Sequence, residues 1–209
     1  MGDHFQTLVD RDASPQSAPR LAERVVDWLV TEGIVLAERT DCVLGQPLGH
    51  PPGPNWSRAV APQDADWEPS DGLAVHLGRT VFHGGQGGFE AVTCARCSTT
   101  TQLVTDEWDV IDEAWAPFSR AIDTWSTTGT AHVQCPACTQ QIPLTDWTWT
   151  DDYFAFAHLG LEFWNWPEFT PEFRTRISAL LGRTPHGVRL GQAVRLTAAA
   201  RSRGPAQQP

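Results

Sequence analysis

The chain has 209 residues, a formal net charge of −10 and 41% hydrophobic residues. That apolar content suits one large domain, or one domain carrying a small module. All fifteen basic residues are arginine, so the chain lacks the lysine that Schiff-base catalysis, a Walker-type phosphate grip and a kinase active site require. The acidic balance also disfavours nucleic acids and anionic membranes and favours basic partners.

The compartment is predicted from what the sequence lacks. No segment approaches the roughly 18 consecutive apolar residues of a membrane span. The opening MGDHFQTLVDRDAS has neither the basic nor the apolar region of a secretory signal. We therefore expect a cytoplasmic protein whose thiols stay reduced. The lysine-free, arginine- and alanine-rich composition is typical of a high-GC genome, as in actinobacteria.

The first predicted unit consists of a strand, a helix and a second strand. Residues 4–9 predict a short strand, and Ser17 is placed to begin a helix that Gly33 ends. Residues 34–43 (IVLAERTDCV) predict the second strand. This β-α-β unit places the first half of an α+β domain in residues 1–92.

The middle of the chain changes character. Residues 45–71 are rich in proline and glycine and predict an irregular segment. Residues 72–81 predict a further strand, and the glycine-rich run at 84–88 predicts a turn. This run is not a phosphate-binding loop, because it lacks a lysine and a strand–glycine–helix frame.

Four of the five cysteines form two C-x-x-C pairs, Cys94 with Cys97 and Cys135 with Cys138. Two thiolates on each of two tight turns supply a tetrahedral ligand set that suits Zn²⁺. We therefore predict one structural zinc ion per chain. A set of four cysteines leaves no open coordination position, which argues against a catalytic zinc. Cys42 lies in an apolar run and is interpreted as a buried free thiol.

Two alternatives to this ligand set remain open. His132, three residues before Cys135, could replace one cysteine, although we favour a bystander role for it. The cysteine pairs could also form a redox dithiol. Two matched turns, and the absence of a thioredoxin-like helix starting at either, argue against that chemistry.

The C-P-x-C sequence at 135–138, followed by a short apolar strand at 142–144, resembles the knuckle of zinc-ribbon proteins. The resemblance covers residues 94–138 only. It implies an inserted module, at 93–144, that mainly stabilises the fold and sometimes contacts nucleic acid or protein. Metal binding is the specific part of this resemblance, and it says little about function.

The module departs from a simple ribbon in two respects. Ser98 and Thr139 stand where a glycine often follows each knuckle, and the insert between the cysteine pairs is longer than a hairpin needs. The insert carries apolar residues at helical spacing, interrupted by Pro117, so we expect a helix that is kinked at this proline or begins nearby. We favour packing of this stripe on the main domain over a partner-binding face. The stripe consists of Trp108, Ile111, Trp115, Phe118, Ile122 and Trp125.

Residues 153–166 predict a long aromatic strand. Strand alternation places Phe163 on one face and Trp164 and Trp166 on the other, and both faces are apolar, as in a strand covered on both sides. We favour burial of these rings over an exposed platform for a sugar, a base or a peptide.

The last elements repeat the opening pattern. Thr170, Pro171 and an acidic residue begin a helix that Gly182 ends, and a strand is predicted over 188–196. Residues 145–196 are thus the second half of the α+β domain, and 197–209 predict a disordered tail. The element order predicts two β-α-β units that form a mixed or antiparallel sheet with both helices on one face. This is a ferredoxin-like order, with the zinc-ribbon-like module inserted.

Three functions are consistent with these residues. The first is a non-enzymatic, zinc-stabilised intracellular protein that binds a protein partner, with a basic partner favoured. The second is an enzyme or small-ligand binder that uses an aromatic pocket near His158, with Trp164 or Trp166 in its wall. The third, a nucleic-acid-binding ribbon, is least favoured because acidic residues surround the knuckles.

Overall fold

A computed structural model describes residues 3–85 and 89–182, together with the backbone of two short strands at 188–190 and 194–195. The predicted disordered tail at 197–209 lies outside the described residues. Part of the predicted glycine-rich turn and part of the predicted last strand also lie outside them.

The described chain mixes helices with antiparallel sheets, which confirms the α+β class. No helix among the described residues has the length and apolar character to cross a membrane. In chain order the elements are β1 (His4–Asp10), α1 (Ala18–Thr31), β2 (Leu73–His83), β3 (Ala91–Thr93), β4 (Thr100–Gln102), α2 (Asp112–Thr128), β5 (His132–Gln134), β6 (Gln141–Pro143), β7 (Thr148–Trp149), β8 (Phe154–Trp164), α3 (Pro171–Leu180), β9 (Val188–Leu190) and β10 (Val194–Arg195).

The main sheet is antiparallel, and β8 is an interior strand of it. One edge of β8 pairs with β1, and the other pairs with β2. The free edge of β1 pairs with β9 and β10. The strand order is therefore β9 and β10, then β1, β8 and β2, so β8 separates β1 from β2, and β1 separates β8 from β9 and β10.

Helices α1 and α3 share one buried cluster with β1, β2 and β8. The ring of Trp28 in α1 lies 5.9 Å from that of Phe173 in α3, and the guanidinium of Arg176 lies 5.8 Å from the Trp28 ring. Thr170 caps α3 as predicted, because its hydroxyl oxygen accepts a hydrogen bond from the Phe173 N–H at 3.1 Å. Ser17 also precedes its helix, but its side chain accepts from the Ser14 N–H instead.

The strand predicted at 34–43 is wrong. Among these residues the structure has only two isolated bridges, Val35 with Pro52 and Thr40 with Gly49. The opposite segment, residues 51–54, contains three prolines, which have no N–H to donate to a ladder. No ladder therefore extends from the Val35–Pro52 bridge, and the segment stays irregular.

The position predicted for Trp166 is also wrong. The strand β8 ends at Trp164, and Asn165 adopts a left-handed φ of 55°. This turn brings the ring of Trp166 to 5.2 Å from that of Phe163, within the same buried cluster. Strand alternation does not apply past a left-handed residue, which explains the error.

Helix α2 runs through Pro117, which lies in its second turn. A proline there removes one backbone hydrogen bond, yet the helix continues to Thr128 and ends at Gly129, whose φ is 85°. Trp108 lies before the helix and is exposed, so the predicted stripe does not begin there. The buried face of α2 consists of Phe118, Ala121 and Trp125.

A second buried cluster lies around α2 and the short sheets, and β8 contributes to both clusters. Its Phe156 packs into the second cluster, whereas Leu161 and Phe163 pack into the first. The strand therefore joins the two cores through one continuous backbone.

Gly160 tests how closely the middle of this strand is packed. A Cβ at this position would lie 2.3 Å from the Phe82 ring, so we expect Gly160→Ala to lower the free energy of unfolding by about 1–3 kcal/mol. Urea unfolding at neutral pH measures this change. In a Phe82→Leu background the same substitution should lower the free energy of unfolding clearly less. An equal loss in both backgrounds would contradict the close packing of Phe82 on Gly160.

Candidate metal centre

Both C-x-x-C pairs lie in the turns of β-hairpins. The first pair follows β3 and precedes β4, where Thr93 pairs with Thr100. The second follows β5 and precedes β6, where Gln134 pairs with Gln141. The two hairpin loops therefore have the same length, with a cysteine as the first and the fourth residue of each.

The two loops also share their hydrogen bonds. In the first, the Cys94 N–H donates to the Thr99 carbonyl at 3.0 Å and the Ser98 N–H donates to the Cys94 carbonyl at 2.9 Å. In the second, the Cys135 and Thr139 N–H groups donate to the Gln140 and Cys135 carbonyls, both at 2.9 Å.

Ser98 and Thr139 each adopt a φ of 58°, in the left-handed region that glycine prefers. Both knuckles therefore contain the same left-handed turn residue, formed here without glycine.

The four sulfur atoms lie within 4.8 Å of one another. The Cys97 and Cys135 sulfurs are 3.7 Å apart, far beyond the ~2.05 Å of a disulfide. Four thiolates at ~2.3 Å from a tetrahedral zinc ion are ~3.8 Å apart, so the arrangement fits a bound metal ion. Cys42 lies outside this set, as does His132.

The pKa values of two of the four thiols, Cys97 and Cys138, are shifted in opposite directions. Hydrogen bonds from the side chain and backbone of Thr99 lower the pKa of Cys97 to about 6. A backbone hydrogen bond from Gln140 lowers the pKa of Cys138, but burial and the three neighbouring thiols raise it, to about 11 overall. One thiolate forms readily and further negative charge is opposed, so a dication bound among the sulfurs would relieve the repulsion.

Three of the four cysteines belong to the second buried cluster or pack against it: Cys94, Cys135 and Cys138. Cys94 and Cys135 are buried, whereas Cys97 and Cys138 lie nearer the surface. The buried pair shares this cluster with apolar side chains from α2, β5, β6, β7 and β8: Phe118, Trp125, Val133, Ile142, Trp149 and Phe156. A metal ion bound here would therefore crosslink two hairpins at the edge of this core.

The other residues singled out in the sequence are dispersed. Trp108 is 63% exposed in a tight turn, while Trp166 is 1% exposed. Trp115 is partly buried and stacks on Phe154. His158 lies 6.5 Å from the Trp125 ring. Trp164 lies 5.0 Å from the Phe5 ring. Within the described part of the chain, no ring contact joins any two of Trp108, Trp115, His158, Trp164 and Trp166.

A polar cluster on the main sheet escaped the sequence analysis. Oε1 of Glu162 accepts from the Trp164 indole N–H at 2.8 Å and lies 3.3 Å from Nε2 of His76. Burial raises the pKa of Glu162, but His76, the indole and the charge of His83 together lower it below its ordinary value. The cluster joins β2 to β8, a pairing between distant segments for which the sequence carries no local signal.

A cleft in the proline-rich segment was missed as well. Leu36, Pro52, Pro54 and Trp56 line it together with Asp66 and Glu68. Neither this cleft nor the small cavity beside Phe82 and Tyr153 is lined by His158, Trp164 or Trp166.

Comparison of the chain with models of known protein families, with curated proteins and with solved structures found no match.

Replacement of a buried ligand tests the metal centre. We expect Cys135→Ser to abolish binding of one metal ion per chain and to lower the melting temperature strongly, because metal binding and folding of the second core are coupled. Elemental mass spectrometry and thermal unfolding of the reduced protein measure the two effects.

Cys42→Ser is the matched control and should keep both the metal and the melting temperature. A wild-type protein that carries no metal after reducing purification would contradict the metal centre. A metal-free Cys135→Ser variant that melts like the wild type would contradict the coupling to the fold.

Substitution of Glu162 tests the polar cluster. Because its pKa is lowered in the folded state, the ionised carboxylate stabilises the fold above the unfolded pKa of ~4.3, and this contribution is lost as the pH falls through the folded pKa. Glu162→Gln should therefore lower the free energy of unfolding by about 1–3 kcal/mol at pH 7. The difference in stability between this variant and the wild type should shrink below about pH 4.

Urea unfolding across this pH range measures the free energy of unfolding of the wild type and of the variant. Metal loss at low pH affects both chains, so its effect cancels in the difference between them. Glu23→Gln, on an exposed position of α1, is the control and should change little at any pH. A Glu162→Gln chain as stable as wild type at pH 7 would show that the cluster contributes nothing.

Proposed function

We propose that the chain is a non-enzymatic cytoplasmic protein whose four cysteines hold one structural zinc ion, and that it binds a basic protein partner. The observation that carries the proposal is the pair of matched knuckles, which bring four sulfurs within 4.8 Å. Tetrahedral sites of four thiolates bind zinc or iron, and closed four-cysteine zinc sites are structural. Reduced thiols in such a set fit a cytoplasmic compartment.

The charge of the surface supports a basic partner. The chain carries a formal charge of −10, and four thiolates around one zinc ion would add roughly two more negative charges. Between the two cysteine pairs in the chain, the exposed acidic residues are Asp106, Glu107, Asp109, Asp112, Glu113 and Asp123. A field of this sign accelerates encounters with cationic proteins and opposes binding to nucleic acid.

The positions of the aromatic residues support a binding role over catalysis in an aromatic pocket. Trp166 is buried, Trp164 is hydrogen-bonded to Glu162, and the ring partner of His158 is a buried tryptophan. In contrast, Trp67 and Trp108 are 55% and 63% exposed. Exposed tryptophans are typical anchors of protein interfaces.

Affinity capture followed by reconstitution tests this function. The zinc-loaded chain, immobilised and exposed to a lysate of its source organism, should retain a protein of high isoelectric point that is released by salt. The purified pair should then bind with a saturable isotherm in calorimetry, and its affinity should fall as ionic strength rises.

Retention of DNA instead of protein, with a steep salt dependence, would favour the nucleic-acid alternative. A captured set with no saturable partner would contradict the proposal. Metal analysis of the same preparation separates the two halves of the proposal, because a zinc-loaded chain without a partner leaves only the structural role.

A further inference from the structure

The cleft in the proline-rich segment is an open groove with a volume of about 600 Å³. We call it the Leu36–Glu68 groove. Its apolar lining comes from Leu36, Pro52, Pro54 and Trp56, and its acidic lining comes from Asp66 and Glu68. The volume lies within the range of roughly 300–1,000 Å³ that is typical of ligand pockets.

The floor of the groove is held by backbone contacts. The Gly53 N–H donates to the Ile34 carbonyl at 2.8 Å, and the Leu36 N–H donates to the Pro51 carbonyl at 2.9 Å. A Cβ on Gly53 would lie 2.3 Å from the Gly33 carbonyl oxygen, so only glycine permits this close approach. The Trp56 side chain also packs into the first buried cluster. The groove is therefore preformed, which lowers the ordering cost of binding.

The basic residue beside Trp56 is already neutralised. The Arg58 guanidinium lies 2.6 Å from the Glu32 carboxylate, at the end of α1. The Asn55 amide donates to the Glu32 carbonyl at 2.9 Å and holds the same segment. No basic side chain lines the groove among the described residues, so its acidic charge is not compensated from within.

The acidic rim is available to a partner. Asp66 and Glu68 are exposed, and their side chains make no hydrogen bond or ion pair within the part of the chain that the structure describes. Trp67, between them in the chain, is 55% exposed, and Leu36 is 44% exposed. Apolar surface next to free carboxylates and an exposed tryptophan suits a segment that has both apolar and cationic side chains.

We propose that the Leu36–Glu68 groove binds an extended segment of a basic protein partner, with an apolar side chain against Leu36 and Pro54 and an arginine or lysine facing Asp66 and Glu68. This assignment rests on the proposed function and names the surface that performs it. A second copy of the chain is a poorer occupant, because two surfaces of the same negative charge repel.

The test uses the full zinc-loaded chain and a fluorescein-labelled peptide, Gly-Leu-Arg-Ala-Leu-Arg-Gly, with a matched peptide in which glutamate replaces arginine. Fluorescence anisotropy measures affinity at low and at physiological salt. Nuclear magnetic resonance of the indole N–H signals of Trp56, Trp67 and Trp108 locates the site. The arginine peptide should bind in a salt-sensitive manner and shift Trp56 and Trp67 but not Trp108, and the glutamate peptide should not bind.

Two pairs of variants separate the groove from the general acidity of the chain. The double variant Asp66→Asn with Glu68→Gln should weaken binding about three- to tenfold. Glu23→Gln with Asp27→Asn removes the same charge from exposed positions of α1 and should change the affinity less than twofold. For the apolar contact, Leu36→Ala should weaken binding and Leu44→Ala, also exposed in this segment, should not.

Equal losses from both charge variants would overturn the groove as a specific site, as would shifts confined to Trp108. In either case the proposed function would survive, with its surface elsewhere. Peptide-induced self-association would assign the groove to a second copy and also overturn the proposal. A partner captured from lysate whose binding is unaffected by the Asp66 and Glu68 substitutions would likewise reject the groove while it upholds partner binding.

Discussion

The antiparallel pairing of β8 with β1 and β2 is the interaction on which the other parts of the molecule depend. β8 lies in the last part of the chain and pairs with β1 and β2 from the first half. It contributes side chains to both buried clusters. Helices α1 and α3 pack on one cluster, and α2 with the knuckles packs on the other. Without this strand β1 and β2 would have no shared partner in the sheet, and the Glu162–His76 contact would be lost.

The second core contains elements that are too small to be stable alone. Its strands β3 to β7 have two or three residues each, and isolated hairpins of this size are at best marginally stable in water. A metal ion bound by one sulfur pair from each hairpin would supply the missing stabilisation as four bonds within a small volume. The matched loops and the buried positions of Cys94 and Cys135 fit this role, which separates the metal centre from the surface proposed to bind a partner.

Much of the fold and of the candidate metal centre was predictable from local patterns. The C-x-x-C spacing predicted the group of four cysteines because each knuckle forms within a few residues, and the Thr170 cap and the Gly33 and Gly182 turns also act over short distances along the chain. The prediction of a strand at 34–43 failed because the segment opposite its first residues, 51–54, contains prolines that prevent a ladder. The predicted position of Trp166 was wrong because Asn165 is left-handed and turns the chain. An asparagine in the sequence does not by itself specify that conformation.

The sequence by itself determined the α+β class, the two cysteine knuckles and the acidic charge, because each depends on composition or on contacts between close neighbours along the chain. Only the tertiary structure decided which aromatic rings are buried, how Glu162 meets His76, and where apolar and acidic side chains form a groove. These features join residues that are far apart in sequence. Their positions follow from the packing of the whole chain, and no local spacing encodes them.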